Sequence, residues 1–332
     1  MQLKSIKYRL YPNNKQIVLL EKHFGCARLI YNLALQCKEI NYSGSKRYTS
    51  YYQLQNSLPE LKKDNVWLNE VNSQSLQIPL RNLENGFNRF FKKQGGYPKY
   101  KKKTSTQTFQ VPQYVEIKDN KILIPKFREG INAVIHKRLD SCCKLKCATV
   151  TRTTTGKYYV SISYEDPTPI SPFTSNNNTV GLDLGLTHLA TLSDGTKIDN
   201  PKILKKHLGK IKYLSRQLLK KKKGSNNRSK ARHKLAKHHE YIKNSRNDYL
   251  HKVTDKLVND NQVARYVVED LKSSNLIKNR KLAFSIADVS WHEFIRQLTY
   301  KLEFAGKQIY KVAPQYTSMT CSECGYINKN LK

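Results

Sequence analysis

The first twelve residues, "MQLKSIKYRLYP", alternate apolar and basic side chains and stop at Pro12. Alternation with a period of two predicts a strand with one buried face. From Asn13 the period lengthens to that of a helix, with Ile17, Leu20 and Phe24 and then Leu29 and Leu33 on successive turns. Gly25 lies between the two runs, so the pattern predicts two short helices around it, either a helix-turn-helix or two packed helices. A further stripe, Leu76, Leu80, Leu83, Phe87 and Phe90, is spaced 4, 3, 4 and 3 and predicts the core face of one helix. Pro79 falls inside it, so that helix either starts near Pro79 or kinks there.

The period shortens again over residues 106–165. Asp119-Asn120 and Thr155-Gly156 are turn pairs between alternating, β-branched and aromatic flanks. These short strands, with residues 1–12, predict a small β-barrel over 1–12 and 104–165, carrying a helical insert over 13–103. "DPTPISPFTSNNNT", residues 166–179, is rich in Pro, Ser and Asn and predicts a linker. From Val180 a second domain begins with "TVGLDLGLTHLATLSDGTKI", a hairpin turning at Asp194-Gly195. The expected fold class is therefore α+β and multidomain.

Charge changes the picture more than composition does. The chain of 332 residues holds 60 Lys and Arg against 25 Asp and Glu, a formal net charge of +35. Such an excess opposes compaction by self-repulsion, and solubility needs a net charge of only about 2 to 8 in a small domain. A polyanion is the expected companion, nucleic acid ahead of an anionic membrane surface or an acidic protein. No run of eighteen apolar residues occurs, so no membrane span is expected. Seven cysteines, an odd number, and no signal-like N-terminus predict reduced thiols and a cytoplasmic setting.

The cations fall in two clusters. "FKKQGGYPKYKKKTS" interleaves Tyr97 and Tyr100 with Lys99, Lys101, Lys102 and Lys103, offering lysines to phosphates and rings to sugars or bases. Residues 202–256 hold 19 Lys or Arg against three acids and read as helix, basic turn, helix. A solvated helix would balance its signs at i, i+4. This segment does not, and Arg216, Lys220, Lys221, Lys222, Lys223, Arg228, Lys230, Arg232 and Lys234 are expected to form a phosphate rail.

Two acids stand out against this background. On the first strand after the linker, Gly181, Asp183 and Gly185 share one face, leaving space beside the carboxylate for a divalent ion and a phosphate. A β-rich run from Val263 to Val268 ends in Glu269-Asp270, with Glu269 the better ligand candidate and Asp270 the better turn or helix cap. Acids at the ends of neighbouring strands are how carboxylates hold ions about 3.5–4 Å apart in a phosphodiester site. Cys142, Cys143 and Cys147 lack a second pair and read as small strand or turn residues rather than as a metal site. Cys321 and Cys324, in "CSECG", form one half of a zinc knuckle, whereas structural zinc takes four ligands.

The ordered set "YRLYP", "GCARLIYN", "YPKYKKK", "GLDLGLTHLATLSDG", "KKKKGSNNR", "VVEDL", "SWHEFIRQLTYK" and "YTSMTCSECG" resembles the transposon-encoded TnpB/OrfB family, relatives of the type V CRISPR effectors. The resemblance implies an RNA-guided DNA endonuclease with a wedge barrel, a helical recognition insert and an RNase H-like (RuvC) α/β domain over 180–320. It implies Mg²⁺ held by Asp183 and Glu269, a guide RNA from the protein's own locus, and a double-stranded DNA target beside a short flanking motif. Tyr52 and Gln77 fall in the stretch that reads that motif, and Cys321 and Cys324 match the first zinc pair, with 321–332 as half of a ribbon. In the family pattern a second Cys pair and a third acid would follow Lys332. The expectation is thus guide-directed DNA binding with an incomplete nuclease site, acting by target occupancy. The alternatives are an active Mg²⁺-dependent nuclease, with Asp288, Asp270 or Glu293 replacing the third acid, and an inert remnant of a transposon.

Overall fold

The computed structural model describes residues 2–170, 173, 178–260, 262–271, 273–276, 278–279, 282–313, 324 and 326. The chain divides into two compact units, Met1–Pro169 and Ile170–Lys332, parting within the Pro-, Ser- and Asn-rich segment.

In the first unit β1 (Gln2–Tyr11) turns Ile6, Tyr8 and Leu10 inward and Lys7 outward, as the alternation requires. It lies at the centre of an antiparallel seven-stranded sheet with β2 (Gln107–Val111), β3 (Glu116–Lys118), β4 (Lys121–Ile124), β5 (Phe127–Val134), β6 (Lys144–Arg152) and β7 (Tyr158–Asp166). The order is β2-β6-β7-β1-β5-β4-β3, with β2 and β3 at opposite edges. The expected barrel is an open sheet. Its closing pairing is absent among the described residues, and the β2 flank is instead covered by helix, with Phe109 of β2 packed 4.7 Å from His23 and 5.2 Å from Phe24, centroid to centroid.

Those two rings belong to α1 (Asn14–Ser45), one uninterrupted helix in place of the two expected. Asn13 starts it with a reciprocal cap: its side chain accepts from the Gln16 N–H, and the Gln16 side chain accepts from the Asn13 N–H. Gly25 does not end the helix, so its phase runs on unbroken. The buried stripe is Leu20, Phe24, Ala27, Tyr31, Leu35 and Lys38, while Leu33 is exposed. The first half of the stripe packs on the sheet and the second on α2 (Tyr51–Asn56), α3 (Leu58–Asp64) and α4 (Ser73–Phe91). Helix α4 runs through Pro79 and buries Leu76, Leu80, Leu83 and Phe87; Phe90 lies at its exposed end against Tyr97.

His23 joins these two cores. Its Nδ1–H donates to the Leu19 carbonyl at 2.8 Å, and Nε2 accepts the Asn72 N–H at 3.1 Å, which fixes a neutral ring. Burial lowers its pKa from 6.5 to about 4. A second proton would face a donor, so the neutral form is the folded one. The associated stability is fully present above pH 6.5 and is lost as pH falls towards 4. It amounts to about 3 kcal/mol at about 1.4 kcal/mol per pKa unit. Denaturant titrations of His23→Gln should lack this share of the acid slope; an unchanged slope would place the acid sensitivity elsewhere.

The second unit is a five-stranded sheet of β8 (Thr179–Asp183), β9 (His188–Leu192), β10 (Lys197–Asp199), β11 (Arg265–Glu269) and β12 (Gln308–Val312), ordered β10-β9-β8-β11-β12. The first three strands are antiparallel; β11 joins β8 and β12 in parallel. Parallel neighbours need crossovers. The β10-to-β11 crossover is α5 (Ile203–Leu219) and α6 (Asn226–Val258), and the β11-to-β12 crossover includes α7 (Ser273–Leu276), α8 (Ala283–Val289) and α9 (Trp291–Phe304). Tyr266 and Val268 of β11 and Leu182 of β8 join Leu250 and Leu257 of α6 and Phe294, Leu298 and Leu302 of α9 in one core. The Asp194-Gly195 turn joins β9 to β10, so the single hairpin expected here is three strands. Strand β8 stops at Asp183, and Gly185 lies beyond it. A Cβ at Gly185 would sit 3.0 Å from the His188 carbonyl, so this glycine permits the tight return and does not clear space for a ligand.

Candidate carboxylate cleft and basic surfaces

Arg265, Tyr266, Val267 and Val268 of β11 pair in order with Thr179, Val180, Gly181 and Leu182 of β8. One step further along both strands, Asp183 and Glu269 stand side by side at the carboxyl ends of adjacent parallel strands. Equal register puts them on the same face, opposite the buried Leu182 and Val268. They line one open cleft with Gly181, Thr191, Ser193 and Val267. On this side the Gly181 N–H donates to Ser193 Oγ at 3.2 Å, and a Cβ at Gly181 would meet the Cβ of that serine at 3.7 Å, an ordinary contact.

Two carboxylates beside hydroxyl groups are an all-oxygen donor set, the kind that hard cations take. Mg²⁺ is commonly held by one or two carboxylates with water and substrate phosphate completing its shell. The pair therefore fits one such ion. Among the described residues, no group of three His, Cys, Asp or Glu side chains is placed to hold a metal.

The three other acids considered from sequence are placed as follows. Asp288 is buried in α8 and accepts the Leu204 N–H at 2.8 Å and the Lys205 N–H at 3.0 Å, capping the start of α5. Glu293 is clasped by Arg296 at 2.8 and 2.7 Å and by Gln297 at 2.8 Å. The Arg296 hydrogen bonds, more than any other influence, lower its pKa to about 2. Asp270 lies 4.0 Å from Lys311 Nζ. Asp288→Ala should lower stability by about 1–2 kcal/mol through loss of the cap, read by denaturant unfolding, with divalent-ion binding at the cleft intact. Weakened ion binding at equal stability would make Asp288 a ligand.

Helices α5 and α6 carry the basic segment. Arg228 is half-buried and donates to the Leu218 and Lys221 carbonyls at 3.0 and 2.8 Å, so its head closes the turn between the helices. Arg216, Lys220, Lys221, Lys222, Lys223, Lys230, Arg232 and Lys234 are exposed. Exposed rings of Tyr213 and Tyr241 stand among them, beyond the cations expected from charge alone.

In the first unit, the segment from Tyr97 to Lys103 is docked on α1. Asn32 exchanges two hydrogen bonds with the Lys101 backbone, at 3.1 and 2.8 Å. The hydroxyls of Tyr97 and Tyr100 converge on Glu39 at 3.3 and 2.6 Å, and Lys101 Nζ lies 4.0 Å from the Tyr31 ring centroid. Tyr97 also packs edge-on against Phe87 and Phe90, which makes it an anchor. Lys99, Lys102 and Lys103 are exposed. Tyr52 is exposed on α2, its ring 5.4 Å from that of Tyr51, and Gln77 is half-buried on α4. Arg81, one turn after Gln77, lies 5.8 Å from the Tyr51 ring. Its i+4 spacing from Gln77 is the signal in the sequence that marks it.

Cys142 is exposed, and Cys147 Sγ accepts from the Gln110 side chain. Cys324 is exposed, and Cys321 lies outside the described residues. No helix among the described residues is long and apolar enough to cross a membrane.

Three family profiles match the chain. OrfB_IS605, described as "Probable transposase", matches residues 160–280; a "Helix-turn-helix domain" of the same family type matches 1–47; and a "Cas12f1-like, TNB domain" matches 291–332. A Streptomyces pristinaespiralis protein named "Putative RNA-guided DNA endonuclease" is 36% identical, over 99% of this chain and 82% of its own length. The Escherichia coli K12 protein named "Putative RNA-guided DNA endonuclease InsQ" is 35% identical, over 99% of this chain and 85% of its own. In solved structures, the fold resembles the protein of a cryo-EM Cas12f1–sgRNA–target DNA complex, with a TM-score of 0.59 and 13% identity over 100% of this chain and 93% of that one.

Proposed function

This chain belongs to the transposon-encoded TnpB/OrfB family, and on that premise we propose that it is an RNA-guided DNA-binding protein with a Mg²⁺ site at Asp183 and Glu269. The carrying observation is the register of β8 and β11, which sets these two carboxylates side by side on one open face. The strand order β10-β9-β8-β11-β12, three antiparallel and two parallel, supports assigning this unit as RuvC-like, of the RNase H type.

In this reading, exposed cations on α5 and α6 hold the phosphates of a guide–target duplex, and pairing with guide RNA selects the sequence. Tyr52, Gln77 and Arg81 contact the short flanking motif. A divalent ion held at the cleft would supply charge stabilisation to a phosphodiester oxygen. Asp183 and Glu269 would hold that ion, with Gly181 and Val267 lining the face beside them. Clamping both attacking and leaving oxygens takes two ions, and Asp288 and Glu293 are engaged in a helix cap and an arginine pair. With two carboxylates at the cleft among the described residues, target occupancy is the proposed main outcome of DNA engagement. Cys321 and Cys324 are proposed as two of the four thiolate or imidazole ligands of a zinc ion.

The test is whether RNA confers choice. The chain purified with RNA from its own locus should retard DNA that matches the RNA and release it to competitor when the pairing is scrambled. Equal retardation of matched and scrambled DNA would leave only charge-driven binding.

A further inference from the structure

Gly25 has no evident purpose inside the chain. It lies in the middle of α1, where glycine costs about 1 kcal/mol relative to alanine. Among the described residues nothing comes within 4 Å of the Cβ it lacks. It opens into a cavity of about 400 Å³ lined by Lys22, Cys26, Arg28, Leu29, Trp67 and Glu70. That size falls among ligand sites, which run to about 300–1,000 Å³.

The walls are uneven in chemistry. Trp67, on the short turn Val66–Glu70, is 45% exposed. A tryptophan ring left so open beside an apolar floor is a surface for another flat ring. The rim carries Lys22, ion-paired to Glu70, and Arg28, whose guanidinium is steadied at 2.6 Å by the Gln107 side chain. Flat apolar wall, low floor and the Arg28 guanidinium match the three parts of a nucleotide, base, close-lying sugar and phosphate, while Glu70 on the same rim holds Lys22.

We propose that this cavity takes one unpaired nucleobase, stacked on Trp67 over Gly25, with its phosphate at Arg28. The glycine then serves a ligand's close approach at a cost in helix stability. The site is built from residues of the first unit alone and uses neither the ion nor the cations of α5 and α6.

The test uses the full chain and two probes, twelve-nucleotide oligo-U and oligo-dT, at one fixed salt concentration. Tryptophan emission is read in parallel with anisotropy of labelled oligonucleotide. Of the two tryptophans, Trp291 is buried, so quenching on binding should report Trp67 and vanish in Trp67→Phe. Gly25→Ala should raise the unfolding midpoint by about 2–4 °C, abolish most of the quench, and weaken binding about five- to hundredfold, the range for one lost stack. Quenching by oligo-U alone assigns the base to RNA, by oligo-dT alone to DNA, and by both to either strand. Two results would overturn the site: a stabilised Gly25→Ala that keeps full quench and affinity, or anisotropy showing binding of both probes with no quench in the wild type. The second of these would leave the charge-driven binding of the proposed function standing.

Discussion

Replacing Lys220, Lys221, Lys222 and Lys223 together by glutamine should lower affinity for guide RNA or for duplex on the order of a hundred- to a thousandfold near 0.15 M salt. All four are exposed at the α5–α6 turn, so the folded chain loses no packing with them. Each neutralised phosphate contributes about 0.9 to the log–log salt slope, so four lost contacts should flatten it by up to about 3.6. The change in slope separates this effect from damage to the fold, which would reduce affinity without a proportional change in counterion release. Filter binding across a salt series reads both quantities. A slope that stays put while affinity falls would mean that the turn acts through shape.

The second large effect belongs to the carboxylate pair. Asp183→Ala, and separately Glu269→Ala, should abolish measurable Mn²⁺ binding at the cleft by electron paramagnetic resonance, and with it any residual nicking of target DNA. Binding of guide RNA should remain within about twofold of wild type, since the two acids share the β8–β11 face and the proposed RNA contacts are the cations of α5 and α6. Loss of ion and RNA together in either variant would mean that the strands themselves unfold or that one surface serves both tasks.

What could be read from residues alone follows from how local each signal is. The alternation of Ile6, Tyr8 and Leu10 and the stripe from Leu76 to Phe87 each depend on one element, and both reach the structure intact. Gly25 misled because propensity is a weak prior: a glycine tolerated inside a packed helix looks, in sequence, like a break. Once α1 is continuous, the buried phase moves from Leu29 and Leu33 to Ala27, Tyr31 and Leu35. Barrel closure was illegible for a different reason, because it depends on whether β2 meets β3, a long-range pairing that no local period encodes.

At the candidate site the two acids were visible as strand-end carboxylates, but their adjacency required the parallel register of β8 and β11. The roles of Asp288 and Arg228 required tertiary contacts with the ends of α5. In sequence each is only one more charge. Glu39 and Asn32 were silent for the same reason, although they dock the lysine-rich segment on α1.

The most direct measurement adds Mg²⁺ and the protein, purified with RNA from its own locus, to a plasmid library carrying the matched target beside randomised flanks. Native and denaturing gels are run in parallel. The predicted result is a guide-dependent shift confined to plasmids sharing one flanking motif, with the DNA largely intact on the denaturing gel. Efficient cutting of those plasmids would contradict target occupancy and make Asp183 and Glu269 part of a working nuclease; a shift indifferent to guide and flank would contradict RNA-guided binding itself.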